Sequence, residues 1–378
     1  MITNVIVALG HALWMAFAMF REILWPLILG FGLSGVVQAV VSKSEMTKLL
    51  PDDSPKSLMI ATGLGAASSS CSYAAVALAR SIFRKGADFT AAMAFELAST
   101  NLVAELSIIL IVLMGWQFAI AEFAGGPLMV VIIAVLFRIF LSRKLVREAR
   151  QQADKGIKGV MEGHAEMDMS VENGRSLWQR LTSPAGITAT SHYFVMDWLA
   201  VWKDIVGGLL IAGALGAWVP RDFWNGFFLT SHPVAATLWG PLVGPLVAVL
   251  SFVCSVGNIP LAAVLWNGGI SFGGVIAFIY ADLIVLPIID IYRKYYGWKI
   301  AFLIVGVFYT AMVGAALIVE FLFRGLGLIP EHRAAQIVET SITLNYTTVL
   351  NLVFLAIAAF LVVRFLRTGG PKMMAHMQ

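Results

Sequence analysis

Eight apolar stretches, at 23–42, 87–114, 127–141, 204–219, 234–266, 270–289, 300–323 and 346–366, fill much of this 378-residue chain. A helical membrane span needs roughly 20 such residues. Inside a bilayer the backbone must satisfy its own polar groups, which leaves helices and closed barrels as the only spanning structures. Only 13% of the residues are charged, against about 25% in a soluble domain. The expected fold is all-α, a polytopic helical membrane protein of about eight spans, with the lipid bilayer as its first partner. Residues 4–20 form one more apolar segment, which reads either as a short extra span or as a helix lying in the interface. No basic stretch followed by a short apolar core and a small-residue cleavage site opens the chain, so no removable signal peptide is expected.

Within this apolar background one element occurs twice. The chain has two cysteines, Cys71 and Cys254, and each is followed by serine, Ser72 and Ser255. Aligned at their 183-residue offset, residues 71–95 and 254–278 share 8 identities in 25 positions without a gap, among them Gly86/Gly269 and Phe89/Phe272. Upstream, at an offset of 182, Arg21-Glu22-Ile23 answers Lys203-Asp204-Ile205. The chain is a duplicated unit, and duplicated units in membrane proteins usually meet around a transported ligand. Two cysteines in apolar surroundings do not make a disulfide framework, so both are read as free thiols.

The duplication divides the chain into a first repeat at 1–141, a polar linker at 142–201, a second repeat at 202–325, and a further span with a tail at 326–378. The cysteine segments are poor continuous spans. Gly63-Leu64-Gly65-Ala66-Ala67-Ser68-Ser69-Ser70 precedes Cys71, and Pro241, Pro245, Gly257 and Pro260 interrupt the corresponding second segment. Small and hydroxylated residues favour an opened backbone, so each segment is expected to be a broken or re-entrant helix carrying its Cys-Ser pair near the break. If each enters and leaves on one side, each repeat crosses three times and the two copies are inverted. With the linker in the cytoplasm, that topology puts most Lys and Arg inside, the C-terminal cluster included, and leaves Arg21, Arg221, Arg324 and Arg333 near the outer face. The positive-inside rule favours this arrangement, and the inner (plasma) membrane is the expected location. It also accounts for the net charge of +4 without nucleic acid as a partner.

The thiols are the first candidates for chemistry, because a thiolate is a soft ligand for thiophilic metals and metalloids. Ser70, Ser72, Ser255 and Asn258 flank them as hydrogen-bonding groups, and half-helix N-termini at the breaks would favour an anion. Acids inside spans are costly, about 2.5–3.5 kcal/mol each at the bilayer centre, and should face a cavity or a partner. Glu96 and Asp282 are read as a proton- or cation-coupling pair, since Asp282 aligns with Ser99 on the polar face of the Glu96 helix. Glu105 and Asp290 lie nearer membrane ends and are expected to be structural. Gly86 and Gly269 fit a tight turn. No phosphate-binding loop, dinucleotide turn, metal-ligand spacing or Ser/His/Asp set is found, so neither an enzyme nor a bound cofactor is expected.

Cys71-Ser72 with Gly86 and Ala94-Phe95, and Cys254-Ser255 with Pro260-Leu261-Ala262, Gly269 and Ala277-Phe278, resemble the predicted permease family that includes trivalent organoarsenical efflux permeases (ArsP/YraQ-type). Trp25-Pro26-Leu27-Ile28-Leu29-Gly30 and Gly208-Leu209-Leu210-Ile211-Ala212-Gly213 are similar to that family as well. Where such permeases often carry Cys-x-Cys, each copy here keeps one thiol. The resemblance implies efflux of a small solute, with metalloid resistance as the role. Together with the buried acids, it leads to the expectation of alternating access coupled to protons. A channel-like pore and an intramembrane thiol or sulfur redox component remain open as alternatives.

Overall fold

The computed structural model describes residues 2–40, 49–69, 72–153, 169, 171, 177–251, 255–333, 335 and 346–375. Helices and no strands occur among them. The first half comprises α1 (Ile2–Val40), α2 (Pro55–Ser68), α3 (Ser72–Arg84), α4 (Phe89–Asn101), α5 (Ala104–Leu113) and α6 (Trp116–Phe140). Between the halves lie α7 (Arg143–Ala153) and α8 (Leu177–Thr182). The second half comprises α9 (Pro184–Trp218), α10 (Arg221–Phe227), α11 (Pro233–Ser251), α12 (Ser255–Asn267), α13 (Phe272–Tyr280) with a 3₁₀ turn (Ala281–Ile284), α14 (Leu286–Tyr296) and α15 (Trp298–Gly325). Helices α16 (Tyr346–Arg367) and α17 (Gly370–Ala375) close the described chain. Six helices among the described residues are long and apolar enough to cross a membrane, or seven if the pair Phe272–Ile284 and Leu286–Tyr296, bent by 43°, is one span.

Shifted by 183 residues, α3 falls on α12, α4 on α13 plus its 3₁₀ turn, α5 on α14 and α6 on α15. The small details follow. Asp88 and Ser271, one offset apart, are the N-caps of α4 and α13, and their side chains accept backbone N–H groups of the first turn, which stabilises a helix start. Gly86 and Gly269 adopt φ of +116° and +108°, a region that costs an L side chain dearly. At each turn the glycine N–H bonds the carbonyl three residues back and the next N–H bonds the one five back, the Schellman closure of a helix end.

The halves also contact one another reciprocally. Helix α1 packs on α9, α6 on α15, α3 on α14 and α5 on α12. Mutual contact between equivalent elements is what a two-fold relation produces. The α1–α9 pair runs antiparallel. Trp218, at the end of α9, donates to the Ala8 carbonyl (3.0 Å), whereas Gly35, late in α1, sits against Thr190 at the start of α9. The segment 4–20 is thus the first half of one 39-residue helix. Helix α16 is peripheral, with 17% of its apolar window buried. It is fastened by Asn351, whose amide receives the Trp25 N–H (3.0 Å) and donates to the Arg21 carbonyl (2.8 Å). Those two backbone groups would bond each other in an undisturbed helix, so the side chain inserts into the ladder, one residue before Pro26.

Within each half a stripe of small residues admits a close crossing, α2 on α4 and α11 on α13. The stripe is Ser57, Ala61 and Gly65 in α2, and Gly240, Gly244 and Ala248 in α11, matched at the same offset. A Cβ on Gly65 would lie 2.4 Å from the Phe95 carbonyl oxygen, and one on Gly244 would lie 2.5 Å from that of Gly274. Such stripes let membrane helices pack by van der Waals contact. Pro241 and Pro245 lie inside α11, and Pro260 inside α12, so these prolines do not interrupt their helices as the sequence suggests. Neighbouring groups re-satisfy the freed backbone in membrane helices. Gly65→Val and Gly244→Val are each expected to lower stability by about 1–3 kcal/mol, read as melting in detergent. Gly63→Ala, with open space at its Cβ, should lower it by nothing measurable.

Candidate functional site

Helix α2 ends at Ser68 and α3 starts at Ser72; α11 ends at Ser251 and α12 starts at Ser255. Ser70, Cys71 and Cys254 lie outside the described residues, as does the side chain of Ser255. What surrounds these helix ends is described. Ser69 takes a left-handed backbone (φ 40°, ψ 81°), and its hydroxyl donates to the buried Glu105 carboxylate at the start of α5. Glu105, expected to be structural, is therefore drawn to the end of the first cysteine segment. Asp290, the other acid expected to be structural, pairs with Arg293 (2.6 Å) and Lys294 (2.8 Å) of its own helix.

Ser72 donates to Oδ2 of Asp282 at 2.7 Å. This bond joins the residue beside Cys71 in the first half to the 3₁₀ turn of the second. Asn101 reaches Oδ1 of the same carboxylate at 3.4 Å, and its amide also donates to the Thr100 hydroxyl at 3.0 Å. Both residues stand at the end of α4, where the span is divided at Leu102-Val103 before α5 begins. The second half is divided at the matching place, Val285, with Pro287 in the first turn of α14. Asp282 and the Asn101 end of α4 are thus brought together at a second pair of helix breaks. Short polar side chains that bond nearby backbone favour such an interruption: Ser99 donates to the Glu96 carbonyl (2.8 Å) and Thr100 to that of Leu97 (3.2 Å).

Glu96 faces the other half as well. One of its oxygens accepts the Tyr292 hydroxyl from α14, while Oε2 has no protein partner. Its carboxylate interacts electrostatically with that of Asp282, so the two coupling candidates share one fully buried region. Asn258, one turn into α12, is fully buried, and neither its Nδ2 nor its Oδ1 finds a protein partner. Buried polar groups are nearly always satisfied, and an orphan in a native fold calls for an explanation such as a bound ion or ligand.

Sequence reading missed one acid. Glu122 is fully buried in α6, both of its oxygens lack a protein partner, and its carboxylate interacts with that of Asp282. The Tyr280 hydroxyl from α13 donates to the backbone carbonyl of Glu122 (3.0 Å). A Cβ on Gly125 would lie 2.1 Å from that hydroxyl, and one on Gly126 would lie 2.2 Å from the Leu102 side chain. The Gly125-Gly126 pair therefore seats α6 against both helix breaks, with Glu122 one turn away. The available signal was an isolated acid in front of Gly-Gly-Pro, just outside the apolar run that starts at 127. Among the described residues no three His, Cys, Asp or Glu side chains converge as a metal site requires.

Long apolar helices, divided spans and buried acids at the divisions are the build of a membrane permease. A family model described as "Predicted permease" (ArsP_1) matches residues 8–321, and the chain belongs to that family. It is 61% identical over 338 residues to "Putative permease Rv2963" of Mycobacterium tuberculosis (strain ATCC 25618 / H37Rv), covering 89% of this chain and 83% of that protein. No solved structure matches it. The protein is a multi-pass helical membrane protein of the transporter class.

The Tyr292–Glu96 bond offers a direct check of the site. Tyr292→Phe and Glu96→Leu are each expected to lower melting in detergent. Because they remove the same bond, the double variant should lose less than the sum, with a coupling of about 1 kcal/mol.

Proposed function

We propose that this protein is a secondary permease of the inner membrane that exports a small thiophilic metal or metalloid species by alternating access, coupled to protons. Cys71 and Cys254 contact the solute, Ser70, Ser72, Ser255 and Asn258 assist, and Glu96 and Asp282 carry the coupling. Residues 1–141 and 202–325 act as inverted repeats, joined by the cytoplasmic linker 142–201, with the C-terminus also cytoplasmic. The antiparallel packing of α1 on α9 supports the inversion, and the distribution of Lys and Arg supports the orientation.

The observation that carries the reading is the Ser72–Asp282 bond. A solute held by the thiol of residue 71 competes for the hydroxyl of residue 72, which is the same hydroxyl that binds the Asp282 carboxyl. Solute binding and protonation then draw on one shared group, and the linkage is reciprocal. The bond also crosses between the halves, so whatever loosens it acts on the contact that must rearrange when access alternates.

Inverted membrane vesicles supplied with external arsenite or methylarsenite as probes test this. Uptake by the wild type should follow an imposed proton gradient and collapse with uncoupler. Cys71→Ala/Cys254→Ala should abolish it; uptake at the wild-type rate in that double variant would refute the thiol role. Glu96→Gln and Asp282→Asn should each remove the response to the gradient. Uptake indifferent to gradient and uncoupler in the wild type would favour a pore instead.

A further inference from the structure

The 183-residue correspondence continues past the last helix of each half, where Leu145/Leu328, Glu148/Glu331 and Arg150/Arg333 are identical. In α7, Arg150 lays its guanidinium over the Phe83 ring (4.5 Å to the centroid) and donates through Nη2 to the Ala87 carbonyl (2.9 Å). Beyond α15, Arg333 lies over the Trp266 ring (4.4 Å) and donates through Nη1 to the carbonyls of Ile270 (2.7 Å) and Trp266 (2.8 Å). Arg150 and Arg333, Phe83 and Trp266, and Ala87 and Ile270 each stand one offset apart. Both clamps grip the Schellman turn, at Gly86 or Gly269, that leads from α3 into α4 or from α12 into α13.

The carriers of the two arginines differ. Arg150 sits in a helix, while Arg333 sits in irregular chain. A contact kept in the same three parts while its carrier changes from helix to loop does not serve the local fold of that carrier. Its shared feature is the turn it holds, and that turn links the helix that starts at Ser72 or Ser255 to the one that ends at Asn101 or runs into the 3₁₀ turn of Asp282. Guanidinium suits the task, since it stacks on an aromatic face and bonds carbonyls from the same plane.

We propose that Arg150 and Arg333 are paired positioning residues that latch the two ends of the transport path in alternation. The proposal rests on the inverted-repeat reading, which sends the two clamps to opposite membrane faces. The ends are not equally fastened. Arg80, nearly fully buried over the Tyr295 ring (4.4 Å), also binds the Ala153 carbonyl at the end of α7 (2.7 Å). Its counterpart at position 263 is alanine. Beside Arg333 lies a cavity of about 610 Å³ lined by Trp266, Asn267, Gly269, Ser271, Glu320 and Arg324 among others. Asn267 exchanges two bonds with the Ala335 backbone (3.0 and 3.1 Å), so the Arg333 end is held by hydrogen bonds beside a cavity and the Arg150 end by a second, buried guanidinium.

Hydrogen exchange read by mass spectrometry on the full-length protein in lipid nanodiscs tests this without a substrate. Arg333→Ala should raise exchange several-fold in residues 264–273 and lower it in residues 82–90; Arg150→Ala should do the reverse, by less. If each variant loosens only its own turn, or both loosen both turns, the arginines are local braces and the proposal fails. Should an alanine variant fold poorly, Arg→Lys at the same position, which keeps the charge and loses the planar fork, must show the same opposed signs in weaker form. Absence of arsenite or methylarsenite transport by the wild type would overturn the proposed solute, whereas the opposed exchange response stands or falls by itself.

Discussion

A peptide group that loses its helical partner inside a bilayer has only other protein groups, or a watery cavity, to turn to. The fold is arranged around that constraint. Among the described residues, the helix ends at Ser68, Ser69, Ser72, Asn101 and Ile284 are buried, and hydroxyls, amides and carboxylates are concentrated there. Ser69 with Glu105, Ser72 with Asp282, and Asn101 with Asp282 are the bonds at these places. The polar groups that permit the breaks are also the ones available for transport chemistry, so opening the backbone and building a site are one structural event.

Scaffold and chemistry follow different symmetries. Caps, Schellman turns, small-residue stripes and arginine clamps recur at one offset. The acids do not: position 279 opposite Glu96 is Ile, 288 opposite Glu105 is Ile, 305 opposite Glu122 is Val, and 99 opposite Asp282 is Ser. The frame is duplicated while the acids are not, so each buried acid has a single place in it. Glu96, Glu122 and Asp282 are contributed by α4, α6 and the 3₁₀ turn after α13, so their carboxylates share one region only when both halves are assembled.

Much of this was legible in the residues, and the exceptions have physical causes. Run length gave the helical class, because an apolar stretch near 20 residues has few other uses. Gly86 and Gly269 announced turns, since a positive φ costs glycine little. The second pair of breaks was hidden. Leu102, Val103 and Val285 are themselves apolar, so hydropathy passes over them, and only the Ser99-Thr100-Asn101 run and Pro287 hinted at an interruption. Prolines misled in the opposite direction, because membrane helices carry them unbroken. Glu122 was overlooked because a single acid with no neighbouring motif leaves no pattern; what marks it out is that two buried oxygens find no partner. Tyr292 as the donor to Glu96, and the arginine clamps, could not be read at all, because they depend on which helices of the two halves meet.

The account stands on two thiols sharing one solute between the repeats. Mass spectrometry of the intact purified protein after treatment with a trivalent arylarsenical, which bridges a pair of thiols, measures this most directly. One adduct per chain, with both cysteines then closed to alkylation and the adduct lost on changing either to serine, is the predicted result. Two independent adducts, or none with both thiols still reactive, would show that the cysteines do not face a common site.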